Sequence, residues 1–347
     1  MHFIDFTTIV KYAWMAYDSS RAIKSISDIS AKVSTNHVYK VVFTNGTFVI
    51  AKLSYFGRFE HFVEDHTIIN VLANNLPDPF ENFLARSLIQ GNQLFVHRFQ
   101  NNLIDAWVVF YKPVKINKKL PRRLDETQIE TLGGQFAKFH KACAQVKNTL
   151  PPASKTLNSD LEHLLEILSS DFGQYEHRSY GDVIKQQCEL FFENTSRLNS
   201  QSFERIPVFV DWNIGNFSVT RSGKLFSRWD YDWFRMASRV LDFYFLSRVV
   251  SDIGDRTVFS YNVGPMMEDR FILFLKSYHK VNPLNADEIR FMKEVYRFFI
   301  LNYVIKDGRY FFHEIYATKL QKEAYETYFP SLDREFDADK LIRALDL

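Results

Sequence analysis

The chain has 347 residues, with 46% hydrophobic and 24% charged content, which is ordinary globular usage and excludes a largely disordered protein. Its 43 basic and 41 acidic side chains leave a formal charge of only +2. They divide as 11 against 9 up to Lys115 and 32 against 32 after it, so neither part has the basic excess of a phosphate-tracking nucleic-acid binder. The two cysteines, Cys143 and Cys188, form no CxxC pair and no disulfide framework, and isolated thiols fit a reducing cytoplasm. The Met1-His-Phe-Ile-Asp5 start lacks the pattern of a secretory signal, and no apolar run approaches membrane-spanning length. The expectation is a cytoplasmic protein with neither a nucleic-acid nor a membrane partner.

Apolar spacing predicts a helix over Phe6–Tyr17. Two β-rich runs follow, 38–44 and 47–53, around Asn45-Gly46, which predicts a two-residue hairpin turn with positive φ at both central positions. Alternation puts Phe48, Ile50 and Lys52 on one face of the second strand, so a lysine ends an apolar face. A helix over 62–76, with Glu64, Ile68 and Val71–Leu72 on one side, and strands over 93–99 and 106–111 come next. From Lys112 the chain turns polar and basic, with Pro113 and Pro121 among Lys115, Lys118, Lys119, Arg122 and Arg123; this reads as a solvated boundary.

Beyond it the pattern is helical. Ile129, Leu132, Phe136, Phe139 and Cys143 recur at steps of three and four. Further helices are expected over 161–168, 183–192 and from about Ser238 onward. One β insert interrupts them, where Val208-Phe-Val enters a polar turn and a hairpin then pivots on Ser222-Gly223. Asp211 and Asn216 flank the turn, and Asp230 lies at the end of the hairpin. Two carboxylates and a carboxamide gathered there make an oxygen-rich site suited to Mg²⁺. One carboxylate can accept a hydroxyl proton while the other groups hold metal and phosphate. With Lys52 and Glu64 added, the parts of a phosphoryl-transfer site are present.

These segments resemble the aminoglycoside phosphotransferase and choline kinase-like family over almost the whole chain. Phe209-Val-Asp211-Trp-Asn-Ile-Gly-Asn216 resembles its catalytic loop, and Trp229-Asp230-Tyr-Asp-Trp233 its metal-binding loop. Ser34-Thr35-Asn36-His-Val-Tyr-Lys-Val is similar to the phosphate-binding turn, and Val49-Ile-Ala-Lys52 to the strand whose lysine grips α- and β-phosphates. Glu64 matches that lysine's ion-pair partner, and Val108-Val-Phe110-Tyr111-Lys112 the adenine-contacting hinge. Leu132-Gly-Gly-Gln-Phe-Ala-Lys-Phe-His140 resembles the helix after the linker, and Arg239-Val-Leu-Asp242 the helix start that braces the metal-binding loop.

The resemblance implies an α+β, two-lobed protein-kinase-like fold, with an N-terminal nucleotide-binding lobe over 1–112 and a helical C-terminal lobe over 113–347. It implies ATP, with GTP left open, and Mg²⁺ held by Asn216 and Asp230. Asp211 is then the catalytic base, and the partner is a small molecule bearing a hydroxyl. Phe209 departs from the pattern, which has a histidine bracing the loop through hydrogen bonds. That departure is what a catalytically weak or inactive nucleotide-binding scaffold would explain. A protein kinase fits less well, because Trp229-Asp-Tyr-Asp replaces Asp-Phe-Gly; the literal Asp171-Phe-Gly173 precedes the catalytic loop, which is the wrong chain order. The aromatics Trp233, Tyr244, Tyr261, Tyr303 and Tyr310 either cage a quaternary amine or fill the core.

Overall fold

A computed structural model of the chain describes residues 5–31, 36–177, 179–253 and 260–347. Helix α1 (Phe6–Tyr17) is capped by Asp5, whose carboxylate accepts from the Thr7 amide, and buries Ile9, Val10, Ala13 and Trp14. That face lies on a five-stranded antiparallel sheet of order β1-β2-β3-β7-β6. Its strands are β1 (Ile23–Asp28), β2 (His37–Phe43), β3 (Phe48–Ser54), β6 (Val96–Gln100) and β7 (Asp105–Tyr111). The two-residue strands β4 (Ile89–Gln90) and β5 (Gln93–Leu94) form a separate small hairpin. Trp14 packs on Phe43 at 4.5 Å and edge-on to Phe110 at 5.2 Å, at the centre of this small core.

The β2–β3 connection differs from the expected two-residue turn. Only Gly46 has positive φ, at 80°, and the Phe43 amide donates to the Thr47 carbonyl across a three-residue loop. This is the form in which a type I turn is closed by a left-handed glycine. The face of Val49, Ala51 and Leu53 enters the small core, and Lys52 therefore leaves by the opposite face.

Helix α2 (Phe59–Asn75) turns Ile68, Ile69, Leu72 and Ala73 into the large core shared with the helical part. In that part α3 (Glu126–Val146) opens on a reciprocal Asp125–Gln128 cap. Gly133 of α3 allows close approach to a neighbouring helix, because a Cβ there would lie 2.5 Å from the Phe274 carbonyl oxygen. Next come α4 (Leu157–Ser169), α5 (Asp171–Glu176) and α6 (Gly181–Arg197), and Asp171-Phe-Gly173 is simply the first turn of α5. The β insert comprises β8 (Ile206–Val208), β9 (Phe217–Val219), β10 (Leu225–Arg228) and β11 (Arg235–Ala237). β9 pairs with β10 around Gly223, whose φ is 78°, and β8 pairs with β11, a strand the sequence pattern did not reveal.

Helix α7 (Phe243–Val250) leads to α8 (Asp269–Val281), which is the helix that Gly133 meets. Helix α9 (Ala286–Phe299) runs into a π-helical stretch, Ile300–Lys306. The short helices α10 (Gly308–Phe311), α11 (Glu314–Glu323), α12 (Phe329–Glu335) and α13 (Ala338–Ala344) complete a two-lobed α+β architecture. Among the described residues, no helix is long and apolar enough to cross a membrane.

Candidate active site

The site begins where β8 ends. The amides of Phe209 and Val210 both donate to Asp242 Oδ1, at 2.9 and 2.7 Å. The other Asp242 oxygen lies 2.9 Å from His140 Nε2, and Tyr278 Oη lies 2.7 Å from His140 Nδ1. A carboxylate only accepts, so Nε2 donates to Asp242. Val210 sits at φ 59°, a position costly for a β-branched residue, and Asp242 holds it there. The bend turns Asp211 out of the strand. Its Oδ2 accepts from Asn216 Nδ2 at 2.9 Å, and its Oδ1 from the Asn213 amide at 3.2 Å.

The loop that carries Asp230 is stitched to this turn. The Trp229 amide donates to the Asn216 carbonyl at 3.0 Å, and the next residue, Asp230, adopts a left-handed φ of 69°. Its Oδ1 lies 3.0 Å from Lys52 Nζ, which also pairs with Asp232 Oδ1. Asn36 Nδ2 donates to Asp232 Oδ2 at 2.6 Å. Residues from three distant segments thus form one polar cluster. Burial alone would depress Lys52, yet Asp230 and Asp232 outweigh it and hold the ammonium above its ordinary value. Asp230 is lowered, since Lys52 and Arg228 outweigh its burial, whereas burial and the Asp230 charge push Asp232 upward despite Lys52.

Glu64 is not the partner of Lys52. Its Oε1 accepts from the amide and hydroxyl of Ser154 at 2.9 and 3.1 Å, because the register of α2 turns it toward the segment before α4. The buried α2 residues at this level are Asp65, paired with Lys155, and His66, hydrogen-bonded to Tyr111 Oη at 2.5 Å. Burial pulls His66 down to about 3, so its ring is neutral.

The expected hinge is likewise committed in part. Phe110 faces the small core, its carbonyl accepts from the Leu88 amide, and the Lys112 amide donates to the Arg86 carbonyl. Tyr111 is buried against His66, and the Lys112 side chain is exposed. Ser34 and Thr35 lie outside the described residues. Arg239 engages Glu288, not the loop that carries Asp230. Trp233, Tyr244, Tyr261 and Tyr303 are buried among other rings and fill the core, while Tyr310 is exposed.

Arg228 is a site residue that the sequence pattern did not single out. It is fully buried beneath both loops, and its Nη2 donates to the Asp211 carbonyl at 2.9 Å. The available signal was a cation in a strand two residues before Asp230. A cavity of about 490 Å³ beside α4 and β11 is lined by Lys155, Ser159, Arg205 and Met236, and by none of Lys52, Asp211, Asn216 or Asp230.

No family model matches the chain, and no curated protein matches it by sequence. Solved structures do. An amicoumacin kinase in complex with AMP-PNP and Ca²⁺ superposes with a TM-score of 0.66 at 13% identity, covering 97% of each chain. The fold is that of the small-molecule kinases. A microcompartment-associated aminopropanol kinase gives a TM-score of 0.62 at 17% identity, over 94% of this chain and 98% of that one. The wild-type aminoglycoside 2′-phosphotransferase-IIIa, solved with GDP, gives 0.56 at 11%, over 96% and 100%.

Proposed function

We propose that the protein is a small-molecule kinase, moving the γ-phosphoryl group of ATP to a hydroxyl of a small acceptor, with residues 1–112 as the nucleotide lobe and 113–347 as the acceptor lobe. The observation that carries this reading is the joining of Lys52, Asp230 and the Asp211–Asn216 pair through an ion pair and hydrogen bonds. Kinship of fold with an amicoumacin kinase and an aminopropanol kinase supports it. Phe209 would suit an inactive scaffold, but the intact Asp211–Asn216 bond favours an enzyme.

Among the described residues no cluster of three or more His, Cys, Asp or Glu side chains is poised to hold a metal alone. The donors instead fit a cation shared with phosphate. Asn216 spends its side-chain nitrogen on Asp211, which leaves its side-chain oxygen for the metal, and its backbone carbonyl accepts from the Trp229 amide, one residue before Asp230. Two hard oxygen donors suit Mg²⁺, which keeps water and phosphate oxygens as its remaining ligands. When bound, it neutralises charge on the phosphates.

Lys52, buried and held by Asp230 and Asp232, is the group that would grip the α- and β-phosphate oxygens. Asp211 accepts the acceptor's hydroxyl proton as the new oxygen–phosphorus bond forms. The bond between the γ-phosphorus and its bridging oxygen breaks, and its electron pair leaves with ADP. Positioning and charge neutralisation carry most of such a reaction. ADP release over a panel of amino-alcohols, choline-like amines, sugars and aminoglycosides tests this, with Asp211→Ala as the blank. Acceptor-dependent release absent from the variant is expected, and equal release by the variant would remove Asp211 from its role.

A further inference from the structure

Phe209 stands where the resembled catalytic loop has a histidine, and its ring carries no hydrogen-bonding atom. A different polar group packs against that ring. Arg228, at the end of β10, is buried with its guanidinium carbon 4.7 Å from the Phe209 ring centroid and 4.0 Å from that of Trp212. Its Nη2 donates to the Asp211 carbonyl at 2.9 Å and approaches the Asp230 carbonyl at 3.4 Å. No carboxylate pairs with it among the described residues, and its Nε and Nη1 make no hydrogen bond.

A buried cation that no carboxylate touches carries a large desolvation cost, offset in part by the nearby charges of Asp211, Asp242 and Asp230, and its contacts must compensate the rest. Two aromatic faces and two carbonyls do so here. A methionine of similar length would fill the space without that cost. What the guanidinium adds is a link between the backbone of the catalytic aspartate and the backbone of the metal-binding aspartate. We propose that Arg228 is a positioning residue, which takes over with its guanidinium the bracing role of the missing histidine, and that Phe209 is its stacking platform. Phe209 is then one half of a compensated exchange and not a mark of decay. The kinetic side of this assignment rests on the phosphotransfer reading; the bracing itself does not.

The test pairs Arg228→Met with the double variant Phe209→His/Arg228→Met. Hydrogen exchange read by mass spectrometry should rise in peptides covering 209–216 and 229–233 in Arg228→Met, with α3 and α8 unchanged. Turnover should fall about a hundredfold, with the KM for ATP within threefold, and the double variant should regain at least tenfold. Arg228→Lys, which keeps the charge but cannot bridge while stacked, should show the same exchange pattern and serves if Arg228→Met does not fold. Unchanged exchange in both segments would overturn the assignment, as would a loss of turnover that the histidine does not rescue. A wild-type protein inactive toward every acceptor would defeat the kinase reading alone, because exchange still decides the role of Arg228.

Discussion

Lys52 Nζ lies 3.0 Å from Asp230 Oδ1, so a lysine of the small sheet meets a carboxylate that follows β10, 178 residues along the chain. The same ammonium is shared with Asp232, and helix α2 contributes no carboxylate to it. The position of Lys52 therefore depends on the loop of Asp230 and Asp232 more than on the helix. Asp232→Asn should raise the KM for ATP about tenfold, or about 1.4 kcal/mol, whereas Glu64→Gln should leave it within twofold. Initial-rate kinetics on both variants check this, and a larger effect from Glu64 would restore the helix as the partner.

The buried group of Asp160, Arg235 and Lys306 anchors β11 and the end of the π-helical stretch to α4. Asp160 pairs with Arg235 and lies 3.0 Å from Lys306 Nζ. Burial would raise this carboxyl, but Arg235 and Lys306 outweigh it and hold it below its ordinary value. Its stabilising effect is thus present above pH ~4 and fades as the pH falls toward the lowered folded-state value. Asp160→Asn should cost about 3–5 kcal/mol at pH 7, because two buried cations lose their carboxylate. Urea denaturation should find that penalty shrinking below pH ~4; a penalty that grows with acid would contradict the assignment.

Gly133 explains the Leu132-Gly-Gly segment in packing terms. A methyl group there would meet the Phe274 carbonyl oxygen at 2.5 Å and Ser277 Cβ at 3.1 Å, and backbone cannot yield as a side chain can. Gly133→Ala should destabilise the protein by about 1–3 kcal/mol through forced separation of α3 and α8. Thermal denaturation measures it, and an unchanged midpoint would show that the helices can part without penalty.

Asp242 bears on the shape of the loop before Asp211 through two amides and one imidazole. Asp242→Ala leaves the amides of Phe209 and Val210 buried without an acceptor, at about 1–3 kcal/mol for each lost bond. Val210 would also lose what holds it at φ 59°. Both stability and turnover should fall, and Asp242→Asn, which keeps one acceptor oxygen, should recover part of the stability. Equal losses in the two variants would mean that the acceptor oxygen is not what matters.

Much of the site could be read along the chain because its parts are local patterns. Asp211 and Asn216 share one turn, Asp230 follows one hairpin, and Lys52 ends one strand face. The partners of those residues were harder to read. Whether Lys52 meets Glu64 or Asp232 depends on the register of α2 and on the left-handed turn at Asp230, neither of which spacing records. Asn45-Gly46 announced a turn, but the loop length was set by the pairing of Phe43 with Thr47. Arg228 looked like an ordinary strand cation, because its role comes from Phe209 and Trp212 closing over it in space.

The most direct measurement is calorimetric titration with AMP-PNP and Mg²⁺, which needs no knowledge of the acceptor. Wild type and Asp211→Asn should bind the nucleotide with similar affinity, while Lys52→Met and Asp230→Asn should each lose at least tenfold. Absence of binding to the wild type, or binding indifferent to Lys52 and Asp230, would contradict a nucleotide site built on these residues.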